Sequence, residues 1–194
     1  EYTYHGRLSA YGVWREKGAE AGPFKVDQIA RVVDKLAAQP YSRQAQMITW
    51  MPNIDTDCYD PPCLQSLWYR ILEGDDGTWW LNCNVRFRSN DAWGANFMNM
   101  FGFIQFNRQL IADAVAEKAG RRVELGRLNW HADSWHIYGK DIANAKAMLF
   151  DRVDSMPFSD RVYNFHDEFI QEMYRGAEQM ILKKIADYDE NHAS

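Results

Sequence analysis

The sequence predicts a mixed α/β domain of the α+β kind, in which a meander of strands packs on a buried central helix. Three observations predict it. Leu81, Cys83, Val85 and Phe87 alternate with Asn82, Asn84, Arg86 and Arg88, which is the period of a half-buried strand. The run from Asp91 to Ala119 is rich in Met and Phe and reads as a helix buried on most sides. GDDGT (74–78) lies between two apolar runs, as a hairpin turn does.

The elements follow in order. GVWREKGAEAGPF (12–24) is polar, with scattered Gly, and reads as a loop. In VDQIARVVDKLAAQ (26–39), Ile29, Val32, Val33 and Leu36 stand at helical spacing, and Pro40 stops the run. QMITWMP (46–52) reads as a strand ended by Pro52, and NIDTDCYDPP as a loop. CLQSLWYRIL (63–72) and WWLNCNVRFRS (79–89) read as the two strands flanking the GDDGT turn. GRLNWHADSWHIYG (126–139) reads as one further strand, and the remainder as amphipathic helix with a solvated tail. Neither a repeat nor a linker interrupts the 194 residues, which predicts a single domain over 1–194.

Composition narrows the function. A net charge of −5 gives no basic field for nucleic acid or for a membrane surface, so an anionic ligand must be held by a few local arginines. No apolar run reaches the length of a membrane span. Three cysteines, far apart and odd in number, predict reduced thiols in a cytoplasmic protein. The His residues lack acidic or thiol companions at a metal-binding spacing, so no metal is expected.

Four groups carry chemistry. In DPPC, two prolines stiffen the backbone just before Cys63, which is either a small packed residue at a strand edge or a nucleophile held by a rigid turn. In RSND, Arg88 and Ser89 sit between a strand and a helix start, which makes an anion cradle or a helix cap. Asn99, among Met and Phe, must find a partner, and its amide matches a pyrimidine edge or a neighbouring backbone group. His136 and Tyr138 are two apart on a strand and share a face, as a sugar-binding pair would.

Taken in order, PYSRQAQ, DPPCLQ, RSND, NFMNMFGF and HIYG resemble the thymidylate synthase superfamily, which includes the pyrimidine nucleotide hydroxymethylases. The resemblance runs from about residue 4 to residue 140, with Asn99 eight positions after Asp91 as in the family. It implies a thymidylate synthase-like mixed sheet with one face used for dimerisation. It implies that Cys63 attacks C6 of a pyrimidine nucleoside monophosphate, whose C5 then takes a one-carbon unit from 5,10-methylenetetrahydrofolate. Arg88 and Ser89 would bind the phosphate, with Arg88 also helping to hold the thiolate. Arg43 would reach the phosphate of the neighbouring subunit in a homodimer. Asp91 would contact the folate, Asn99 the base edge, and His136 with Tyr138 the sugar. Tyr4 resembles a family tyrosine near the base. The sequence departs from the family at Leu64, where synthases carry His, at Gln44, which replaces a second Arg, and at Phe87, which replaces Gln. The family's N-terminal region, with its catalytic glutamate and a further phosphate-binding arginine, has no counterpart before Glu1. The ending KKIADYDENHAS is polar, unlike the apolar tail by which synthases exclude water. These departures favour hydroxymethylation of CMP, dCMP or dUMP, with reductive methylation of dUMP as the alternative and a non-catalytic nucleotide-binding homologue as the reading from another class.

Overall fold

The computed structural model describes residues 2–15 and 22–192. They fall into two compact units, the first ending at Gly139 and the second beginning at Lys140.

The first unit is built on a four-stranded sheet. Strands β3 (Ala45–Ile48), β4 (Leu64–Glu73) and β5 (Trp79–Phe87) form an antiparallel meander, and β7 (Val123–Ala132) joins β5 in parallel. The turn between β4 and β5 is closed by Gly74, whose N–H donates to the Thr78 carbonyl, and Gly77 takes φ +78° there, a conformation open to glycine. The alternation read in the sequence sets the faces. Leu64, Leu67, Tyr69 and Ile71 of β4 and Leu81, Cys83, Val85 and Phe87 of β5 all point into one core. Each large apolar side chain so buried contributes roughly 1.5–3 kcal/mol. Ile48, Leu72 and Trp80 on the other face are exposed.

Helix α2 (Gln28–Ala38) covers the core face with Val32, Val33 and Leu36, and Asp27 caps it by accepting from the Ala30 N–H at 2.9 Å. The crossover from β5 to β7 is a continuous helical run: α4 (Asn96–Phe106), a π-helical turn over Asn107–Ala112, and α5 (Asp113–Ala119), ended by Gly120 at φ +62°. Burial along this run is confined to one stripe, through Phe103, Asn107, Ile111, Ala112 and Val115. Phe97 and Met98 are 72% and 66% exposed, in contrast to the burial on most sides expected from composition. A helix laid on one sheet has one contact stripe, and apolar content alone does not supply a second layer.

Three further expectations change. Residues 12–24, read as a loop, contain most of a hairpin of β1 (Tyr11–Arg15) and β2 (Gly22–Val26), with residues 16–21 outside the described residues. Pro23 is placed at the start of an edge strand, where its missing N–H costs nothing. The loop read over 53–62 begins instead as a helical turn, α3 (Pro52–Asp55), because the Asp55 carboxylate accepts from the Met51 N–H at 2.6 Å. The strand read over 126–139 is two strands. Asp133 ends the first, its N–H donating to the Phe87 carbonyl, and β8 (Trp135–His136) then pairs in parallel with β6 (Asn90–Asp91).

Two buried polar groups hold this unit. Arg7, in helix α1 (Tyr4–Ser9), donates to both Asp55 carboxylate oxygens at 2.8 and 3.2 Å and to the Thr49 carbonyl. The pair is almost solvent-free and locks α1 to the strand end beside Leu64, since Thr49 Oγ1 donates to the Leu64 carbonyl. Under the π-helical turn, Tyr69 donates to Asn107 Oδ1 at 2.8 Å, and both lie around the buried Cys83 thiol.

The second unit contains α6 (Ile142–Met148) and the long α7 (Glu168–His192), on which Phe169, Met173, Met180, Ile181 and Ile185 are exposed. No helix among the described residues is long and apolar enough to cross a membrane.

Burial pushes the Cys83 thiol up to about 12 from an ordinary value of 9.0. Between those values the unfolded chain gives up the proton that the fold retains. The stability is therefore complete below about pH 9 and lost as pH rises toward 12, by about 1.4 kcal/mol per pH unit. Urea unfolding at a series of pH values checks this: Cys83→Ala has the shallower alkaline limb, and parallel limbs would contradict it.

Candidate active site

The site begins where the β4–β5 ladder ends. Leu64 pairs with Phe87, and the register shifts between Leu64 and Ser66. Cys63 therefore stands at the mouth of the strand opposite Arg88, whose backbone N–H donates to the Cys63 carbonyl at 2.8 Å. Arg88 also closes the turn from the other side. Its Nε donates to the Pro62 carbonyl at 3.1 Å and its Nη2 to the Pro61 carbonyl at 2.7 Å. Gln65 Nε2 adds a bond to the Pro62 carbonyl at 2.9 Å. Prolines have no N–H, so the turn can be held only through its carbonyls, and a charged donor holds them strongly. Cys63 is half-buried, whereas Cys58 is exposed and Cys83 buried.

Tyr4 approaches from α1. Its hydroxyl accepts from the Leu64 N–H at 3.4 Å, and its ring meets Phe87 edge-on and Phe103 at a tilt, with centroids 6.2 and 6.4 Å away. Burial raises its pKa, as does the charge of Cys63, while the Leu64 N–H lowers it. At neutral pH the hydroxyl is a donor. Tyr2 belongs to the same cluster: burial, then Tyr4, Asp60 and Cys63, push it up to about 12. Tyr2 is absent from the motifs above, and the Tyr-x-Tyr spacing is the sequence signal that it shares the Tyr4 environment.

The other half comes from β6 and β8. Asp91 pairs with His136, and the Ala92 N–H donates to the His136 carbonyl. Ser89 Oγ lies 3.4 Å from His136 Nδ1. The His136 and Tyr138 rings meet edge to face at 5.1 Å, so this expected pair does come together, although Tyr138 lies beyond the strand. Asp91 Oδ1 accepts from the Trp93 and Gly94 N–H groups, both at 3.0 Å. Its second oxygen lies where a Cβ on Gly94 would be only 2.5 Å away, so a side chain there would displace the Asp91 carboxylate. The helix starts at Asn96 and not at the RSND segment, so a cradle there rests on the Arg88 and Ser89 side chains and not on a helix N-terminus. Asn99 lies in the first turn of α4, half-buried, its backbone N–H donating to the Ala95 carbonyl.

One expected position lies elsewhere. Arg43 precedes β3, whose Ala45 pairs with Tyr69, which puts it more than about 20 Å along the strand from Cys63 at roughly 3.4 Å per residue. Leu64 and Phe87, the departures beside the thiol and Arg88, are both fully buried in the core beneath the site. Asp133 turns away to Arg86 and His131, which lower its pKa in that order. Among the described residues no group of three or more His, Cys, Asp or Glu is placed to hold a metal.

This geometry has relatives. The family model for thymidylate synthase matches residues 4–188. A protein of Methanothermobacter marburgensis named "Putative thymidylate synthase" is 34% identical over 148 residues, which are 76% of this chain and 56% of that one. A protein of the same name from Methanocaldococcus jannaschii is 36% identical over 142 residues, 71% of this chain and 55% of that one. The structure of the thermostable thymidylate synthase A from Bacillus subtilis superposes with a TM-score of 0.53 at 25% identity, over 73% of this chain and 45% of that chain. The chain spans about half the length of the curated relatives it matches. With its mixed sheet, its proline-held cysteine and the match over residues 4–188, the chain belongs to the thymidylate synthase family.

Proposed function

We propose that this chain transfers a one-carbon unit to C5 of a pyrimidine nucleoside monophosphate, with Cys63 as the nucleophile. The observation that carries the reading is the Cys63 turn, clamped through both proline carbonyls by Arg88. A clamped turn holds the sulfur in one attack position, which is the geometric requirement of addition to a flat ring. Cys63 Sγ bonds to C6, and the displaced electron pair makes C5 nucleophilic. After C5 has taken the carbon and lost its proton, the pair left on C5 would release the folate nitrogen from that carbon, water would add to the carbon, and the electrons would return through C5 to re-form the C5–C6 double bond and expel the Cys63 thiolate.

The other residues take the roles that the family resemblance implies. The N–H groups of Arg88 not spent on the prolines, with Ser89 Oγ, hold the phosphate. His136 and Tyr138 hold the sugar, and the Asn99 amide reads the base edge. Tyr4, with its raised pKa, donates a hydrogen bond beside the base. The 5,10-methylenetetrahydrofolate supplies the carbon, and Asp91 fits it, because its second carboxylate oxygen makes no hydrogen bond to the described residues and can accept from the pterin. Arg43, remote from Cys63 in its own chain, acts on the phosphate of a second subunit in a homodimer.

The product we favour is the hydroxymethyl nucleotide. Its support is the departure from the family at Leu64 and Phe87, the residues beside the thiol and Arg88, since water must reach the activated base to give it. Reductive methylation is the second reading, favoured by the names that the relatives carry.

Three outcomes are expected. Release of tritium from a C5-labelled pyrimidine monophosphate requires methylenetetrahydrofolate for turnover and is abolished in Cys63→Ala but not in Cys58→Ala. Absence of release from every pyrimidine monophosphate, in the full-length protein, would leave a nucleotide-binding protein without catalysis. Turnover proceeds without the absorbance of dihydrofolate, and stoichiometric dihydrofolate would identify methylation. Mixing Cys63→Ala with Arg43→Ala restores about a quarter of parental activity, because half the mixed dimers are heterodimers with one intact site in two. An active monomer in sedimentation would refute the shared site.

A further inference from the structure

Asn90 lies between the residues assigned to phosphate and folate, yet neither role uses it. It is 97% buried, its relative exposure being 3%. Its backbone N–H donates to the Ser134 carbonyl at 2.9 Å, which ties it to the entry of β8. Its side-chain Nδ2 donates to Asn96 Oδ1 at 3.0 Å, which ties it to the first turn of α4. Asn96 in turn donates its Nδ2 to Met100 Sδ at 3.4 Å.

The orientation of both amides follows from this chain. A thioether sulfur only accepts, so Asn96 must present its nitrogen to Met100 and its oxygen to Asn90. Asn90 must then present its nitrogen to Asn96. Its own oxygen is left fully buried, with no hydrogen-bond partner among the described residues. An apolar side chain would avoid that cost, so what the amide contributes is its donor. That donor fixes Asn96, and Asn96 and Asn99 are three apart on one helix face.

We propose that Asn90, acting through Asn96, is a positioning residue that holds the first turn of α4 and thereby sets which base Asn99 selects, without touching the base itself. The inference rests on the reading of this chain as a pyrimidine nucleotide-binding protein with Asn99 at the base edge. It assigns base selectivity to the link between the sugar-side strand and the base-side helix.

Calorimetric binding of UMP, dUMP, CMP and dCMP to the full chain tests it, in the parent, Asn90→Ala, Asn96→Ala and the double variant. The parent prefers one base by about tenfold or more. Either single variant narrows that preference to within about threefold, and the double variant narrows it no further, as expected of one coupled unit. Asn96 is half-buried, so its variant keeps the test open if Asn90→Ala fails to fold. Thermal midpoints are read alongside. A variant that loses stability but keeps the parental base ratio overturns the proposal, and so does a parent without base preference. A parent that binds none of the four nucleotides instead fails the functional reading itself, and the two failures are distinguished by the parent alone.

Discussion

One strand register governs the chemistry of this molecule. Leu64 opposite Phe87 is the last pair of the β4–β5 ladder, and it alone puts the residue before Leu64 beside the residue after Phe87. A shift by one residue would turn Leu81, Cys83, Val85 and Phe87 out of the core. The register is thus protected by the burial of a whole strand face, and the juxtaposition of Cys63 and Arg88 is fixed by residues buried in the core.

Beneath that juxtaposition lies an aromatic layer. Phe87 stacks on Trp130 at 4.8 Å and meets Phe103 edge-on at 6.1 Å, while Tyr4 rests on both Phe87 and Phe103. Strand, crossover helix and N-terminal helix are therefore joined in one packed layer. Displacement of any of these rings is transmitted to Tyr4, whose hydroxyl sits against the Leu64 amide. The Arg7–Asp55 pair fixes the same helix from its polar side. Breaking such a buried pair costs about 3–5 kcal/mol, because one charge is left uncompensated.

The strands and helix α2 were legible because burial on one face leaves a period in the sequence. Val32, Val33 and Leu36 show it at helical spacing, and Leu81 to Phe87 at strand spacing. What was not legible depends on partners far away in the chain. Nothing near Asp55 announces that Arg7 will cover it, and nothing near Asp133 announces Arg86. The helical turn at Pro52 follows from the Asp55 carboxylate accepting from the Met51 N–H, and the break before β8 from the Asp133 N–H donating to the Phe87 carbonyl, where the sequence suggested a loop and a continuous strand. The proximity of Cys63 to Arg88 was readable only through the order of five short motifs. The local sequence left the cysteine undecided between core and surface, and half-burial is the result. Asn90 was invisible for another reason: a polar residue in a tight turn looks like a cap, and only the fold reveals that it is buried.

The two halves of the site close over different spans of chain. Arg88 meets Pro62 across 26 residues, within one hairpin, while Ser89 meets His136 across 47. The entropy of closing the longer loop adds only about 0.5 kcal/mol. The greater difference is topological. A hairpin forms by itself on the microsecond scale, but a parallel strand is reached only after its crossover helix has packed on the sheet. The Cys63 side of the site therefore depends on one hairpin, whereas the side that brings His136 depends also on the crossover helix and the parallel strand. A perturbation of the crossover helix would thus reach Ser89 and His136 while leaving the Cys63 turn its own supports within the hairpin.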